Sequence, residues 1–215
     1  MKRDVTERVG GDAASADIAF LSDAALVDGL KLRQAAAIHT FYERYSGRVL
    51  RILHRLLGNE RELADVHHDV FARALHSIRG LKDPERLEAW LTSVAVFTAR
   101  STIQRRKRHR WLQFMAPEAL PETAALPPSR EAGEALRATY GALEQLAVDE
   151  RIAFVLRFIE GMELKEGAAA CSVSLATFKR RLARAEGHFT ELARVSPVLR
   201  DWLEGGSRWG QQKIR

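Results

Sequence analysis

The sequence has one cysteine, few prolines outside one segment and no long apolar run among its 215 residues. A single cysteine, Cys171, excludes an intramolecular disulfide framework and a thiolate zinc cluster, which is typical of proteins from a reducing compartment. No apolar stretch approaches the ~20 residues that a membrane-spanning helix needs, and the acid-containing N-terminus lacks the apolar core of a signal peptide. We therefore expect a cytoplasmic protein that is neither secreted nor inserted in a membrane.

The sequence also lacks the motifs of enzymes and of metal or cofactor sites. It contains no Gly-rich phosphate loop, no GxSxG elbow and no HExxH pair. The adjacent His67 and His68 diverge by ~100° on a helix, so they cannot bind one metal ion together. Cys171 ends an apolar helix and is interpreted as a small core residue rather than a nucleophile. We therefore predict no catalytic residues, no metal and no cofactor.

Basic residues are concentrated in the first half of the chain. The net charge is +6, and residues 26–112 hold 17 basic and 9 acidic side chains. Residues 113–135 are acidic, whereas residues 136–194 are almost neutral. A basic module that an acidic spacer separates from a neutral one favours an anionic partner for the first module, with nucleic acid as the leading candidate.

The hydrophobic pattern is helical almost throughout, because apolar residues recur every three or four positions and alternating runs long enough for strands are missing. Ser22 and Asp83 are predicted N-caps, the second followed by Pro84 at the first helical position. Four of the six prolines fall between residues 113 and 133, where no apolar period is sustained. We therefore predict an all-α fold of two small helical domains joined by a flexible linker.

These signals divide the chain into five segments. They are a disordered N-terminal arm at 1–20, a first helical domain at 21–112, the linker at 113–133, a second helical domain at 134–194 and a C-terminal tail at 195–215. Three interpretations of the tail remain open: that it packs back on the second domain, that it contacts a partner, or that it stays loose.

The first candidate binding surface is the end of the helix that begins at Pro84. It holds six cations without an intervening acid: Arg100, Arg105, Arg106, Lys107, Arg108 and Arg110. Helical spacing places Val96, Arg100, Ile103 and Lys107 opposite the expected core face, and Phe97 and Gln104 lie beside them. Cations mixed with apolar and aromatic groups suit a single nucleic-acid strand. The alternative is a solvated basic helix end that the helix dipole stabilises.

The second candidate surface has helix-turn-helix spacing. A short helix at 163–171 is followed by a turn at Ser172 and a longer helix capped by Ser174. Phe178 belongs to the apolar stripe of that longer helix. The polar side is predicted to bind duplex DNA, with Thr177 and Arg180 near base edges. The other residues of this predicted DNA-binding surface are Lys179, Arg184 and Arg181, the last of which lies nearer the packing boundary. The alternative is an ordinary helical hairpin with basic decoration.

In order and spacing, these parts resemble the extracytoplasmic-function (ECF) group of bacterial RNA polymerase sigma factors. The resemblance covers roughly residues 21–192 apart from the linker. It is carried by LSDAALVDGLKLRQAAAIHTFYERYSGRVLRILHRLLG, NERELADVHHDVFARALHSI, DPERLEAWLTSVAVFTARSTIQRRKR and ALEQLAVDERIAFVLRFIEGMELKEGAAACSVSLATFKRRLARA.

The resemblance implies a non-catalytic subunit that binds the clamp and flap of the two large subunits of core RNA polymerase, recognises promoter DNA and is controlled by an anti-sigma factor. The clamp-contacting residues would be Asp65, His68 and Asp69, and loop 78–86 would receive a flipped base. The minus-ten and melting surface would comprise Val96, Phe97, Arg100, Ile103, Gln104, Arg105, Arg106 and Lys107. The minus-thirty-five reader would comprise Ser174, Thr177, Lys179, Arg180, Arg181 and Arg184, with Arg157 as a candidate phosphate contact.

The sequence departs from the family pattern at four positions. Phe97 and Ser101 replace the usual Asn and Asp, so the family's rule for the minus-ten sequence does not transfer. Ser172 stands where the turn often has glycine, and Gly167 where the first helix of the motif usually has an aliphatic residue.

A helix-turn-helix regulator or nucleoid-type protein that is not a polymerase subunit is the alternative function. It accounts for the basic charge but gives no role to Asp65 and Asp69. Those two acids would then merely balance Arg61 and Arg73 along the helix.

Overall fold

A computed structural model of the chain describes residues 22–58, 62–112 and 130–204. Within these ranges it is helical and contains no strand, which confirms the all-α prediction. None of the described helices is long and apolar enough to cross a bilayer. The predicted arm at 1–20, most of the predicted linker and residues 205–215 lie outside the described ranges.

The described residues of the first domain, 22–58 and 62–112, form four α-helices. They are α1 (Asp23–Lys31), α2 (Ala35–Leu57), α3 (Leu63–Ser77) and α4 (Leu87–Leu112), with short 3₁₀ turns at Ile78–Gly80 and Pro84–Arg86 before α4. Both predicted N-caps are confirmed. The Ser22 hydroxyl accepts from the amide of Ala25 at 3.2 Å, and the Asp83 carboxylate accepts from the amide of Glu85 at 3.1 Å.

The core of the first domain lies between α2, α3 and α4. Apolar residues at helical spacing on α2 supply its centre, where Phe41, Leu53 and Leu56 are fully buried. The Phe41 ring packs edge-on against Phe71 of α3, with ring centroids 5.3 Å apart. Burial of side chains of this size contributes about 1.5–3 kcal/mol each, so this contact stabilises the frame that positions α4.

The second domain begins with α5 (Arg130–Gln145), four residues before the predicted boundary. It continues with α6 (Val148–Phe154), a π-helical turn (Val155–Ile159), α7 (Leu164–Ala170) and α8 (Leu175–Val195). Phe154, Phe178 and Leu182 are fully buried between these helices. Helices α7 and α8 form the predicted helix-turn-helix. The Ser174 cap is also confirmed, since its hydroxyl accepts from the Thr177 amide at 3.2 Å.

The beginning of the predicted tail is helix α9 (Pro197–Glu204), which packs against α5 and α8. Its Leu199 is 2% exposed. Of the three interpretations of the tail, packing on the second domain therefore holds for this helix.

The structure shows the backbone or packing at two of the departures from the family pattern. Ser172 has a φ of +54°, in the left-handed region that glycine adopts without strain, which accounts for the usual glycine but not for the serine. Gly167 faces the ring of Phe178, and a Cβ atom at this position would lie 2.5 Å from Phe178 Cζ. The absent side chain therefore makes room for a buried aromatic ring where an aliphatic residue would collide.

We predict that Gly167→Ala destabilises the second domain. Displacing a buried ring costs about 1–3 kcal/mol, which exceeds the gain of up to ~1 kcal/mol from replacing a helical glycine. Gly187→Ala is the matched control, because no heavy atom lies within 4 Å of its added Cβ. It should stabilise α8 by about 0.5–1 kcal/mol. Urea unfolding measures both changes, and a Gly167→Ala protein as stable as the wild type would contradict the packing argument.

His67 of α3 is buried, with 5% of its surface exposed. Its Nε2 lies 3.2 Å from the Ser46 carbonyl oxygen, to which the neutral tautomer donates. Burial lowers the pKa of His67 below its ordinary value, although the Ser46 carbonyl opposes this change; the charge of His68 lowers it further. Below the unfolded-state pKa, the unfolded chain therefore binds more protons at His67 than the folded chain does.

We predict that stability falls as the pH drops from about 7 to about 5, with His67 contributing at most about 1.4 kcal/mol per pH unit. His67→Gln should reduce this slope, whereas His39→Gln, at an exposed position of α2, should not. The slope of stability against pH is measured from urea unfolding midpoints across this pH range. Identical slopes for wild type and His67→Gln would disprove the role of His67.

Candidate nucleic-acid interfaces

Helix α8 carries basic side chains on the side away from its buried stripe. Arg180 and Arg184 are exposed, and neither forms an ion pair within the described part of the chain. Thr177 and Lys179 are half-buried beside them. The Ser174 hydroxyl donates to Thr177 Oγ1 at 3.0 Å, which fixes the first turn of the helix. This surface presents two unpaired guanidinium groups that can bind phosphate or a base edge.

Arg181 belongs to the same helix but has a different environment. Its Nη2 atom lies 2.7 Å from Asp149 Oδ2 at the start of α6, and its side chain is 22% exposed. The second carboxylate oxygen of Asp149 accepts from Arg100 Nη2 of α4. One carboxylate therefore joins an arginine from each of the two predicted DNA-binding surfaces.

Arg157 lies in the π-helical turn and donates from Nη1 to the Met162 carbonyl oxygen at 2.9 Å. Burial raises the pKa of the nearby Glu186 carboxyl, and the positive charge of Arg157 opposes this rise. The guanidinium thus supports the loop that leads into α7. Its role as a phosphate contact stays a prediction.

Helix α4 is buried on two sides in its middle section. One side packs on α2 and α3, and the other contacts α6 and α7 of the second domain. Val96 and Ile103, expected on an outer surface, are only 3% and 4% exposed. That expectation is wrong for this conformation. Both residues lie on the face of α4 that carries Arg100 and Lys107, and local periodicity does not distinguish a buried face from a free surface.

The cations on the same face of α4 are engaged in the contact between domains. Arg100 pairs with Asp149, and Lys107 Nζ donates to the Leu146 carbonyl oxygen at 2.7 Å. Arg105 and Arg106 each place Nη2 3.4 Å from Glu62 Oε2, within the first domain. Gln104 and Arg105 remain exposed.

Phe97 is 57% exposed, although it lies between buried positions of α4. It lines an open groove of about 690 Å³ between α3 and α4, together with the half-buried Trp90. Arg73, His76 and the acidic Asp69 of α3 lie on the opposite wall, and Ser172 of the second domain lies at the groove. The groove offers flat aromatic surface, which suits an unstacked base.

The predicted clamp-contacting residues lie together on the exposed side of α3. Asp65, His68 and Asp69 are all exposed. Neither acid is paired with a basic side chain in the described ranges, so Asp69 does not balance Arg73. Charge balance with a basic residue along the helix therefore does not explain Asp69.

Sequence reasoning missed the residues that join the domains. Besides Asp149, they include Glu160, whose Oε1 lies 2.7 Å from Arg55 Nη1 of α2. Tyr140 of α5 places its hydroxyl 3.5 Å from the His54 carbonyl oxygen, and burial raises its pKa despite the opposing charges of Arg151 and Arg55. Each contact spans dozens of residues, so no local pattern in the sequence predicts it.

The described residues contain no group of three or more His, Cys, Asp or Glu side chains arranged to hold a metal ion. Cys171 is 7% exposed beside the interdomain contact, and burial raises the pKa of its thiol to about 11, although Arg100 and Arg181 oppose the shift. A thiol in this state is a poor nucleophile.

Two parts of the chain match known families. Residues 41–109 match Sigma-70 region 2, and residues 136–189 match Sigma-70, region 4. The chain is 30% identical over 152 residues to the ECF RNA polymerase sigma factor SigE of Mycolicibacterium smegmatis, a match that covers 66% of this chain and 55% of that protein. It thus spans little more than half the length of that relative. The ECF RNA polymerase sigma-E factor of Escherichia coli K12 is 24% identical over 189 residues, covering 84% of this chain and 97% of that protein.

Two solved structures share the fold. CnrH, in complex with the cytosolic domain of CnrY, aligns over 86% of this chain and 99% of its own length, with 23% identity and a TM-score of 0.54. The sigma factor RpoE of Bartonella quintana, in complex with the anti-sigma factor NepR, aligns over 74% of this chain and 97% of its own, with 22% identity and a TM-score of 0.55. With both regions matched in order on the two helical domains, the chain belongs to the sigma-70 family of RNA polymerase sigma factors, in its ECF group.

Proposed function

We propose that the chain is a cytoplasmic specificity subunit of RNA polymerase, which binds the core enzyme, selects promoters and promotes DNA melting. The observation that carries the proposal is the presence of both sigma regions, in order, on two helical domains. Sigma factors are regulatory and not catalytic. Residues 21–112 are proposed as the core-binding and minus-ten domain, and residues 134–194 as the minus-thirty-five domain.

The clamp of core polymerase is proposed to bind α3 through Asp65, His68 and Asp69. Their exposure and the lack of an ion pair at either acid in the described ranges support this assignment. Acids that stay unpaired in a basic domain are suited to a basic partner surface. A regulator that binds DNA alone has no use for them, which is why we do not favour that function.

The minus-ten strand is proposed to bind the second half of α4 and the groove beside it. Phe97 and Trp90 supply aromatic surface for bases, and Gln104, Arg105, Arg106 and Lys107 supply donors for the backbone. Capture of one extruded base in loop 78–86 would offset the few kcal/mol of unstacking. Melting then needs no nucleotide hydrolysis.

The minus-thirty-five element is proposed to bind α8 in the major groove. Arg180, which is exposed and unpaired within the described residues, is assigned to a base edge, and Arg184, Lys179 and the amides near Ser174 to phosphates. The polymerase fixes the spacing of the two DNA sites, and linking two weak interactions raises the overall affinity. An anti-sigma protein is proposed as a further partner.

Run-off transcription with purified core polymerase on a genomic fragment library tests the proposed function. We expect discrete transcript starts that depend on the chain, with a shared motif upstream. Initiation that is identical without the chain would contradict the proposal.

Arg180→Ala is predicted to weaken selection of the upstream element by about 1–3 kcal/mol. The matched control is Arg194→Ala, which removes another exposed arginine from the end of the same helix. Transcription from matched and scrambled upstream elements measures selectivity. Equal losses on both templates would remove the base-reading role of Arg180 and leave it a phosphate contact.

A further inference from the structure

A small cavity lies in the first domain where the end of α1 meets the end of α3 and the 3₁₀ turn that follows it. Its volume is about 170 Å³. The apolar part of its lining consists of Leu30, Leu75 and Ile78, and Leu30 and Ile78 are only 1% and 2% exposed. A space of this size can hold a small polyatomic group together with water. We call it the α1–α3 cavity.

The rest of the lining of the α1–α3 cavity is basic or titratable. It consists of Lys31, Arg33, His76 and Arg79, and no acidic residue lines the cavity. None of these four side chains forms an ion pair or a hydrogen bond with another described residue. Positive charges gathered without a counter-charge attract anions. The lining therefore favours an anionic ligand.

The backbone at Arg33 is in the left-handed region, with a φ of +56°. The Arg33 amide donates to the Leu30 carbonyl oxygen at 3.0 Å. The Gln34 amide donates to the Gly29 carbonyl oxygen, also at 3.0 Å, which completes a helix-ending motif that usually has glycine at the left-handed position. An arginine is strained there, whereas glycine is not. What arginine adds is a guanidinium group at the cavity.

Stabilisation of helix ends accounts for only part of this charge. Lys31 and His76 lie in the last turns of α1 and α3, where a positive charge interacts favourably with the helix dipole. Arg33 and Arg79 lie beyond the ends of these helices, and the dipole effect falls off within the last turn. It also gives no reason for an arginine in a strained conformation. A bound anion gives a reason for both arginines.

The α1–α3 cavity adjoins the groove between α3 and α4. His76 lines both the cavity and the groove that contains Phe97. Ile78 and Arg79 of the cavity also belong to loop 78–86, the proposed receiver of an extruded base. A strand with one base in the groove or the loop therefore has its neighbouring phosphates close to the cavity. This continuity favours a phosphate of the DNA backbone over one from a free small molecule.

We propose that the α1–α3 cavity binds a phosphate group, with Lys31, Arg33 and Arg79 as its donors. Guanidinium groups bind phosphate oxygens through paired N–H groups, and the lysine adds a compact charge. The source that we assign is the single promoter strand, an assignment that rests on the proposed function. A free phosphate compound has the same chemistry, and the experiment below distinguishes the two sources.

Two substitutions at the end of α1 test the cavity without changing loop 78–86. Arg33→Gly removes the guanidinium and relieves the left-handed strain, so this variant should unfold at or above the wild-type temperature. Lys31→Gln removes the neighbouring charge. Arg51→Gln is the matched control, because Arg51 is an exposed cation of α2 that does not line the cavity and has no ion pair within the described residues.

The first measurement is thermal unfolding of each full-length chain in inorganic phosphate and in chloride at equal ionic strength. A ligand that binds only the folded chain raises its unfolding temperature. We expect phosphate to stabilise the wild type and Arg51→Gln by the same amount. Arg33→Gly and Lys31→Gln should lose a measurable part of this phosphate-specific shift.

The second measurement is fluorescence anisotropy of a labelled oligo(dT) strand with the same chains over a range of salt concentrations. Arg33→Gly and Lys31→Gln should each bind about three- to fivefold more weakly than Arg51→Gln. Loss of one phosphate contact should also reduce the slope of log affinity against log salt by about 0.7. Arg51→Gln should keep the wild-type slope.

The two probes together decide the inference and its source. Weaker strand binding with a reduced slope supports the promoter strand as the ligand. Loss of the phosphate shift with unchanged strand binding retains the phosphate site and assigns it to a free phosphate compound. If both probes give the same result for Arg33→Gly, Lys31→Gln and Arg51→Gln, the inference is overturned, and the cations serve only the helix ends.

Run-off transcription by the wild-type chain separates failure of this inference from failure of the proposed function. Active transcription with no effect of the cavity variants on either probe rejects only the phosphate site. Cavity-dependent binding of inorganic phosphate by a chain that does not support transcription retains the site and rejects the polymerase role.

Discussion

Helix α4 is packed on both sides, and the other features of the molecule depend on this constraint. One side of it packs on α2 and α3, the other side contacts α6 and α7, and Val96 and Ile103 are buried. Exposing that second face to a DNA strand requires the domains to separate. The charges that hold the contact are partly solvated and therefore sensitive to salt and to competing anions.

The helix-turn-helix solves a different problem, because one helix must fill a core and present cations. Phe178 is buried against Gly167, whereas Arg180, two positions later, is exposed. Arg181 follows on the side that faces Asp149. Because successive residues are rotated by 100° around the helix, Phe178, Arg180 and Arg181 point in different directions within a single turn. Core stability and the proposed DNA recognition can therefore change independently on α8, except at Arg181, which also pairs with Asp149.

Local signals in the sequence were sufficient for the all-α class, the caps at Ser22, Asp83 and Ser174, and the helix-turn-helix, because each depends on residues a few positions apart. They failed for Val96 and Ile103, which are buried although helical spacing placed them opposite the expected core face. The partners Asp149 and Glu160 were missed because their ion pairs join residues dozens of positions apart. The packing at Gly167 was not predicted either, since the sequence does not show that the Phe178 ring lies against this position.

The distance between the two domains in the free chain and in the complete initiation complex tests the central idea most directly. Spin labels at Glu43→Cys and Arg194→Cys lie on exposed positions of α2 and α8, and the buried thiol of Cys171, with a pKa raised to about 11, should stay unlabelled. We expect one narrow, short distance in the free chain and a longer one with core polymerase and promoter DNA. The same distance distribution in both states would contradict a closed form that opens for DNA.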